Sequence, residues 1–577
     1  MARIIDGFWL PAEIRDGLIN SDTEFVSTSF AYGKECSPDH PEAITARWPV
    51  LRQDDWDKLV SMLQAGRQSM PMGLAFWERL GSALQKSGQR FNDANDHLRS
   101  DVLKTIPGYT GYSQAMIQLT LKALDFISLD QMTAAYSLPQ GHLLNSDWQT
   151  MGDLPGRLIF NPTNLWDGLI GKIHGLGANL QVNNPLAPEF VLGYGAGNVP
   201  GTALLITLLA LSTTLTENPP PTILVRNSRR EPIFSPLVLS AIEAVDPELL
   251  AGVAVLVWDY MDQDLQGLLL SQSDLVIAAA SDETINSIAT HVSKVNHKRD
   301  KRSAIRFHQH GHKVSFSVID REFLSKGLTD NVSQTPMINI LALLAGLDSI
   351  YWDQYGCLSS RIHFVEQGGD GDYTPQEYAE ALTAQLRILS NALPRGSTPR
   401  RLLKDNFDRY KLLETTNQVT VVSEYEDDFL VVVDTRQLDP MAFYATVNSC
   451  MGRVVIVRPV ADLMEVPYLY LRMLPPANLQ SLSIAAGPAN GSGELSQRTL
   501  DFARACARRG VTAIRSLGRG AFPQLAYSWD GLIPLDLAFA RRAGHFTTIE
   551  FEDAFKQIID TYHNFLAQAE NLALMDE

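Results

Sequence analysis

A cysteine set between a glycine and a strand-like run is the first chemical signal in this chain. It stands in Trp352-Asp-Gln-Tyr-Gly-Cys357-Leu-Ser-Ser-Arg-Ile-His-Phe-Val-Glu366. Glycine permits an unusual turn, which can present a thiol and its own N–H to a substrate carbonyl. Alone the signal is weak, because a cysteine in an apolar setting is inert core more often than nucleophile. A second candidate is Gly193-Tyr-Gly-Ala-Gly197-Asn198-Val-Pro200-Gly201. A glycine-rich loop that opens a helix often faces an anionic ligand. Asn198 and Pro200 stand where a G-x-G-x-x-G pattern would place its last glycine, so a plain structural turn is the equal alternative. The third is Phe307-His308-Gln309-His310-Gly311-His312. Strand alternation would put its three histidines on one face. Metal binding, proton transfer by His310 or His312, and a structural role are the competing readings.

These residues need a scaffold, and the chain alternates strands and helices around them. Short apolar runs at Phe190-Val-Leu-Gly-Tyr, Thr222-Ile-Leu-Val, Gly252–Trp258 and Leu275–Ala280 read as strands. Helices at about 202–212, 235–244, 262–271 and 283–292 lie between or after them. Repeated βα units of this length imply a parallel sheet with helices on both faces. A second region follows, with strands at 314–319, 361–365, 430–433, 454–457 and 481–485. Residues 91–127 read as helix around a Pro107-Gly108-Tyr109 break. The organisation expected is a mostly helical extension over 1–90, a cofactor domain over 91–312, a catalytic domain over 313–546 and a C-terminal helix over 547–577.

Composition narrows the class. The 577 residues carry a formal net charge of −17, with 45% hydrophobic and 20% charged residues. That length allows about two to four domains. An acidic surface argues against a nucleic-acid groove. The basic runs at 298–302 and 400–401 read as solvated faces. The four cysteines form no CxxC pair, which suggests neither a zinc knuckle nor a disulfide framework and fits a reducing cytoplasm. An acidic residue near the start breaks the apolar core a signal peptide needs. The longest apolar run, near Gly201–Ser212, is shorter than the ~18–20 residues of a membrane span.

In combination, Gly197-Asn-Val-Pro-Gly201, Ile223-Leu-Val-Arg-Asn-Ser228, Gly311-His-Lys-Val-Ser-Phe-Ser-Val-Ile319 and Asp353-Gln-Tyr-Gly-Cys-Leu-Ser359 resemble the LuxC-type acyl-CoA reductases, a branch of the aldehyde dehydrogenase superfamily. The similarity runs from about Pro185 to Asp530. It implies an α/β, aldehyde-dehydrogenase-like fold with a Rossmann-type cofactor domain and an α/β catalytic domain. Cys357 matches the thiol that accepts the acyl group, and Asn198 the amide that stabilises the oxyanion. Ordinary aldehyde dehydrogenases place a glutamate base where this chain has Gln309, and a glutamine cannot take a proton. That favours reduction over hydrolysis of the acyl-cysteine. Arg226 and Arg229 stand where NAD-preferring relatives have a lysine and a glutamate. With Ser228 they would hold a 2′-phosphate, so NADPH is the expected cofactor. Ser281 matches a position near the pyrophosphate, although Ala280 replaces the usual glycine. The family needs no metal, and His310 would protonate the leaving thiolate.

The function so implied is NADPH-dependent reduction of a fatty acyl thioester to an aldehyde. The acyl donor would be acyl-CoA or an acyl-carrier protein, and the chain would form a homo-oligomer or work with an acyl-transferring subunit. The alternatives are an aldehyde dehydrogenase acting oxidatively and a catalytically silent partner subunit.

Overall fold

The computed structural model describes residues 3–124, 147–151, 154–162, 187–214, 218–259, 261–300, 304–397, 400–488, 495–524, 526–532 and 544–573. Residues 125–127 of the helical expectation, and Lys301 and Arg302, lie outside these. Phe190–Tyr194, Val253–Leu256 and Leu275–Ala279 are buried at every position. Strands covered on both faces read as unbroken apolar runs, which is why they were legible. They join Thr222–Arg226 and Arg306–His310 in a sheet ordered Arg306–His310, Leu275–Ala279, Phe190–Tyr194, Thr222–Arg226, Val253–Leu256. Every pairing in it is parallel. The first and fourth strands in sequence are neighbours, so the winding reverses between Phe190–Tyr194 and Leu275–Ala279. In such sheets a ligand crevice lies beyond the carboxyl ends of the strands at the switch point.

Helices Thr202–Leu211, Phe234–Val245, Gln263–Gln272 and Asp282–Asn296 complete this unit. Gly201, before the first of them, has a left-handed φ of 85° that glycine tolerates. Asp262 and Ser281 cap the last two by accepting from Leu265 N and Thr284 N.

The first ninety residues are not simply a helical extension. Beside helices Ala12–Leu18, Gln53–Arg67 and Gly73–Asn92 they hold a four-stranded sheet ordered Arg3–Asp6, Ile44–Pro49, Phe25–Ala31, Lys34–Glu35. Two of these strands have four residues or fewer, and Phe25–Ala31 is largely unburied, so the apolar alternation is faint. Trp9 docks this region on the five-stranded sheet, exchanging backbone hydrogen bonds of 2.7 and 2.9 Å with Val255. Helices His97–Thr110 and Gln114–Ala123 follow. Pro107 sits inside the first helix, which ends instead at Gly111 with φ 82°.

The second region is a ten-stranded sheet. Its order is Val419–Val421, Leu430–Asp434, Val454–Val460, Ser360–Glu366, Val314–Ile319, Leu479–Ala485, Ala513–Ser516, Gly544–Ile549, Leu154–Pro162, Gln149–Met151. Its interior is parallel, and both edges are antiparallel. The edge hairpin comes from sequence ahead of the five-stranded unit, and no reading of the sequence anticipates it. The helix Ala554–Ala573 closes the chain. Among the described residues no helix is long and apolar enough to cross a membrane.

Candidate active site

The buried helix Met337–Ile350 delivers the chain to Cys357 through a strained turn. Trp352, Asp353 and Gln354 have φ values of 54°, 49° and 64°. Such non-glycine residues cost roughly 1–3 kcal/mol each and persist only where their surroundings over-determine them. Asp353 accepts from Arg453 Nε at 2.8 Å and from Gly396 N at 3.1 Å. Both members of the ion pair are wholly buried. Arg453 also donates to the Leu393 carbonyl at 2.8 Å. The Gln354 amide donates to the carbonyls of Ser360 and Val454 and accepts from Val454 N at 2.7 Å. Beyond the turn, Ser315 Oγ donates to the Cys357 carbonyl at 2.9 Å and accepts from Ser481 Oγ at 2.9 Å.

Cys357 is partly exposed. Burial of its surroundings pushes the thiol up to about 11, and the Asp530 carboxylate adds to the rise. The Gln480 side chain, the thiol's own backbone N–H and Arg361 pull it back. The resting thiol is therefore protonated at neutral pH and needs a base. Below its pKa the thiolate fraction rises tenfold per pH unit, and only the thiolate is nucleophilic. Alkylation of the Cys357 peptide by iodoacetamide should therefore quicken about tenfold per unit from pH ~7 to ~9. A rate already flat at neutral pH would contradict this.

A base lies nearby. His310 Nδ1 meets Asp530 Oδ2 at 2.5 Å, and its ring stacks on Trp529 with centroids 3.5 Å apart. Both His310 and Asp530 are buried. Burial pushes the Asp530 carboxyl up, but His310, Lys313 and Gln480 outweigh it and hold the group well below the ordinary carboxylate range. Gln480 Nε2 donates to the other carboxylate oxygen at 2.8 Å. The same Gln480 thus links Asp530 to Cys357. His310 Nε2 is buried and has no hydrogen-bond partner among the described residues.

The histidine run departs from its expected arrangement. His308 and His310 share a face, but the strand ends at His310. His312 lies past the strand, where Nε2 meets Asn448 Oδ1 at 2.9 Å. Burial, then the neighbouring His310, push His308 well below the ordinary histidine value. Gln309 alternates to the opposite face and is exposed; no hydrogen bond among the described residues ties it to Cys357. Among those residues no three of His, Cys, Asp or Glu are grouped to hold a metal ion.

Asn198 is exposed, just past strand Phe190–Tyr194. Its Nδ2 donates to the Tyr355 carbonyl at 3.0 Å, two residues before Cys357. This contact brings the carboxyl end of the five-stranded sheet to the amino end of strand Ser360–Glu366. Arg226, Ser228 and Arg229 share the next loop. Arg226 Nε donates to the Trp258 carbonyl at 2.8 Å, Ser228 Oγ accepts from Arg230 N at 3.2 Å, and Arg229 is exposed. Ser281 lies across the switch point, exposed at its helix cap. The acidic Asp282 and Glu283 follow it directly. Asn198 and Cys357 thus meet at the Tyr355 carbonyl, Asp530 connects His310 to the surroundings of the thiol, and Arg226, Ser228, Arg229 and Ser281 lie at or just past the carboxyl ends of their strands.

Sequence reading missed Asp530, Gln480 and Ser315. Asp530 and His310 are 220 residues apart, and no local spacing could join them. A groove of about 450 Å³ opens beside the same turn. It is lined by Leu119, Val199, Leu204, Tyr351, Phe522 and Phe565 among others.

Solved structures define the fold class. A NAD-dependent benzaldehyde dehydrogenase from Corynebacterium glutamicum superposes with TM-score 0.52 at 11% identity, over 92% of this chain and 96% of that one. Aldehyde dehydrogenase 21 from Physcomitrella patens, in complex with the product succinate, gives 0.52 at 11%, over 94% of each chain. An aldehyde dehydrogenase from Brucella melitensis biovar abortus 2308 gives 0.53 at 10%, over 91% and 94%. At these identities the likeness shows the fold alone, which is aldehyde-dehydrogenase-like, as the resemblance implied. No curated protein matches the chain. The family model described as acyl-CoA reductase (LuxC) matches residues 184–541, more than half of the sequence. The chain belongs to that family and is an aldehyde-related oxidoreductase.

Proposed function

We propose that the protein reduces a fatty acyl thioester to an aldehyde with NADPH, through an acyl group carried on Cys357. The observation that carries this reading is the Asn198 amide anchored on the Tyr355 carbonyl, with the adjoining Val199 and Pro200 lining an apolar groove. In this reading the five-stranded unit within residues 91–312 binds NADP(H), and the ten-stranded sheet, which spans most of residues 313–546 and takes in the strands at 149–162, carries the chemistry. Closure of two loops supports a dinucleotide at the switch point. A Cβ on Gly197 would lie 2.2 Å from Ser228 Oγ, so only glycine lets the loops meet. Arg226, Arg229 and Ser228 would hold the 2′-phosphate, and Ser281 the pyrophosphate.

His310 Nε2 takes the Cys357 proton, and the sulfur attacks the thioester carbonyl. Oxyanion charge forms beside the Asn198 amide and the Cys357 N–H, where each donor contributes on the order of 2.7–4 kcal/mol in related chemistry. The carbon–sulfur bond to the carrier breaks, and His310 returns the proton to the leaving thiolate. When bound, the reduced nicotinamide supplies the hydride that converts the acyl-cysteine to aldehyde. Cys357 then leaves as thiolate and is reprotonated from solvent through His310, the one proton that the overall reduction consumes.

Each methylene buried in the groove contributes about 0.8 kcal/mol, roughly fourfold in affinity. With an acyl-CoA series, kcat/KM should climb by two- to fourfold per methylene until the groove is full, with NADPH preferred over NADH. A flat chain-length profile, or strong preference for NADH, would refute the corresponding part. The His310–Asp530 base could also activate water, which favours an oxidative second reading. Acid formation from aldehyde and NADP⁺ without coenzyme A, faster than thioester reduction, would establish that reading instead.

A further inference from the structure

Two tyrosines from a segment outside the family match reach the two loops that matter most. Helix His97–Thr110 carries Tyr109, and Tyr112 follows its left-handed cap Gly111. The Tyr109 hydroxyl donates to the Arg229 carbonyl at 2.8 Å. The Tyr112 hydroxyl donates to the Asn198 carbonyl at 2.5 Å. Each tyrosine therefore holds the backbone of a residue already assigned to cofactor or oxyanion. Both side chains are buried, Tyr109 completely.

The segment that presents them is rigid. A Cβ on Gly33 would lie 2.5 Å from the Thr110 carbonyl oxygen, and one on Gly396 would lie 2.2 Å from that of Gly111. Ser397 N donates to the Gly111 carbonyl at 2.6 Å. Backbone therefore packs on backbone on both sides of the cap, leaving Tyr112 little room to shift. The Tyr112 ring stands edge-on to Trp352 in the strained turn, with centroids 4.9 Å apart. The Tyr109 ring packs on Phe30 at 4.6 Å. Asn198 is thus held at both ends: its carbonyl by Tyr112, its side-chain amide by Tyr355.

We propose that Tyr109 and Tyr112 form a strut, supplied by the N-terminal region, that positions the Arg229 loop for the cofactor phosphate and Asn198 for the oxyanion. They are positioning residues and touch no reacting atom. The proposal rests on the reading of Asn198 as oxyanion donor. A hydroxyl donor lost from a backbone carbonyl shifts equilibria by roughly three- to tenfold.

The test compares two reactions of Cys357 in the full chain. Acylation by dodecanoyl-CoA without NADPH needs the oxyanion donor; alkylation by iodoacetamide forms no oxyanion. Tyr112→Phe keeps the ring against Trp352 and should slow acylation roughly three- to tenfold with alkylation unchanged. Adding it to Asn198→Ala should cause no further loss, because Tyr112 acts through Asn198. Tyr109→Phe, which is informative even should Tyr112→Phe fail to fold, should raise KM for NADPH several-fold with acylation unchanged. Wild-type acylation rates in Tyr112→Phe, parallel slowing of alkylation, additive losses in the double variant, or an unmoved KM in Tyr109→Phe would overturn the strut. A wild-type enzyme that dodecanoyl-CoA does not acylate would instead refute the function proposed for the site.

Discussion

A Cys357→Ala variant is expected to lose thioester-dependent oxidation of NADPH by at least ~10⁴-fold while still binding the cofactor. Removing the nucleophile of a covalent mechanism costs on this scale, because no other group can carry the acyl intermediate. Two of the three remaining cysteines are poor substitutes, and the third, Cys36, lies in the N-terminal region beside strand Lys34–Glu35. Cys450 and Cys506 are wholly buried, and burial pushes the Cys450 thiol up to about 12. The fold should tolerate the change. Polar contacts on the loop run through the Cys357 carbonyl and through Gln354 and Asp353, which alanine at 357 leaves in place. Cofactor affinity, measured by fluorescence titration, should be unchanged. Retained turnover would remove the covalent mechanism altogether.

The second large effect concerns Asp530. The carboxylate accepts from His310 Nδ1 and so leaves Nε2 as the basic nitrogen. Asparagine can present an N–H to Nδ1 instead, which moves the ring proton to Nε2 and disables the base. Comparable changes in acid–base pairs cost on the order of 10²–10⁴ in kcat. Asp530 also raises the Cys357 thiol, second only to burial. Asp530→Asn should therefore move two rates in opposite directions. Thioester reduction falls by 10²–10⁴ on this order, while iodoacetamide alkylation of Cys357 at neutral pH quickens, because the thiol loses a repelling neighbour. Asparagine at 530 can still accept from Gln480, which limits structural damage. Equal losses in both reactions would mean a collapsed site rather than a disabled base.

What the sequence could reveal depended on burial and on distance along the chain. Val314–Ile319 was legible to the residue, because Val314, Phe316 and Val318 alternate with small serines before Ile319, a strand period that survives although every position is buried. Leu154–Pro162 was not, because Pro155 and Gly156 interrupt it and its partner strand lies far away in sequence: Asn161 hydrogen-bonds Thr547 across 386 residues. The N-terminal strands hid for a related reason, being short and partly exposed. In the site, Cys357 and Asn198 were found through motifs that a family resemblance made readable. Gln309 was weighted for its place in a motif, yet alternation turns it away from the His310 face. Asp530 and Gln480 carry no local signature. Their roles exist only where strands Arg306–His310 and Leu479–Ala485 and the Trp529–Asp530 turn are brought together.

The central claim is that Cys357 carries the acyl group. Intact mass of the protein after incubation with dodecanoyl-CoA, without NADPH, tests it most directly. The account predicts a single dodecanoyl adduct, mapped to the Cys357 peptide, absent from Cys357→Ala and discharged as aldehyde when NADPH is added. An adduct that persists in Cys357→Ala, or NADPH consumption with dodecanoyl-CoA and no adduct at any time, would contradict it.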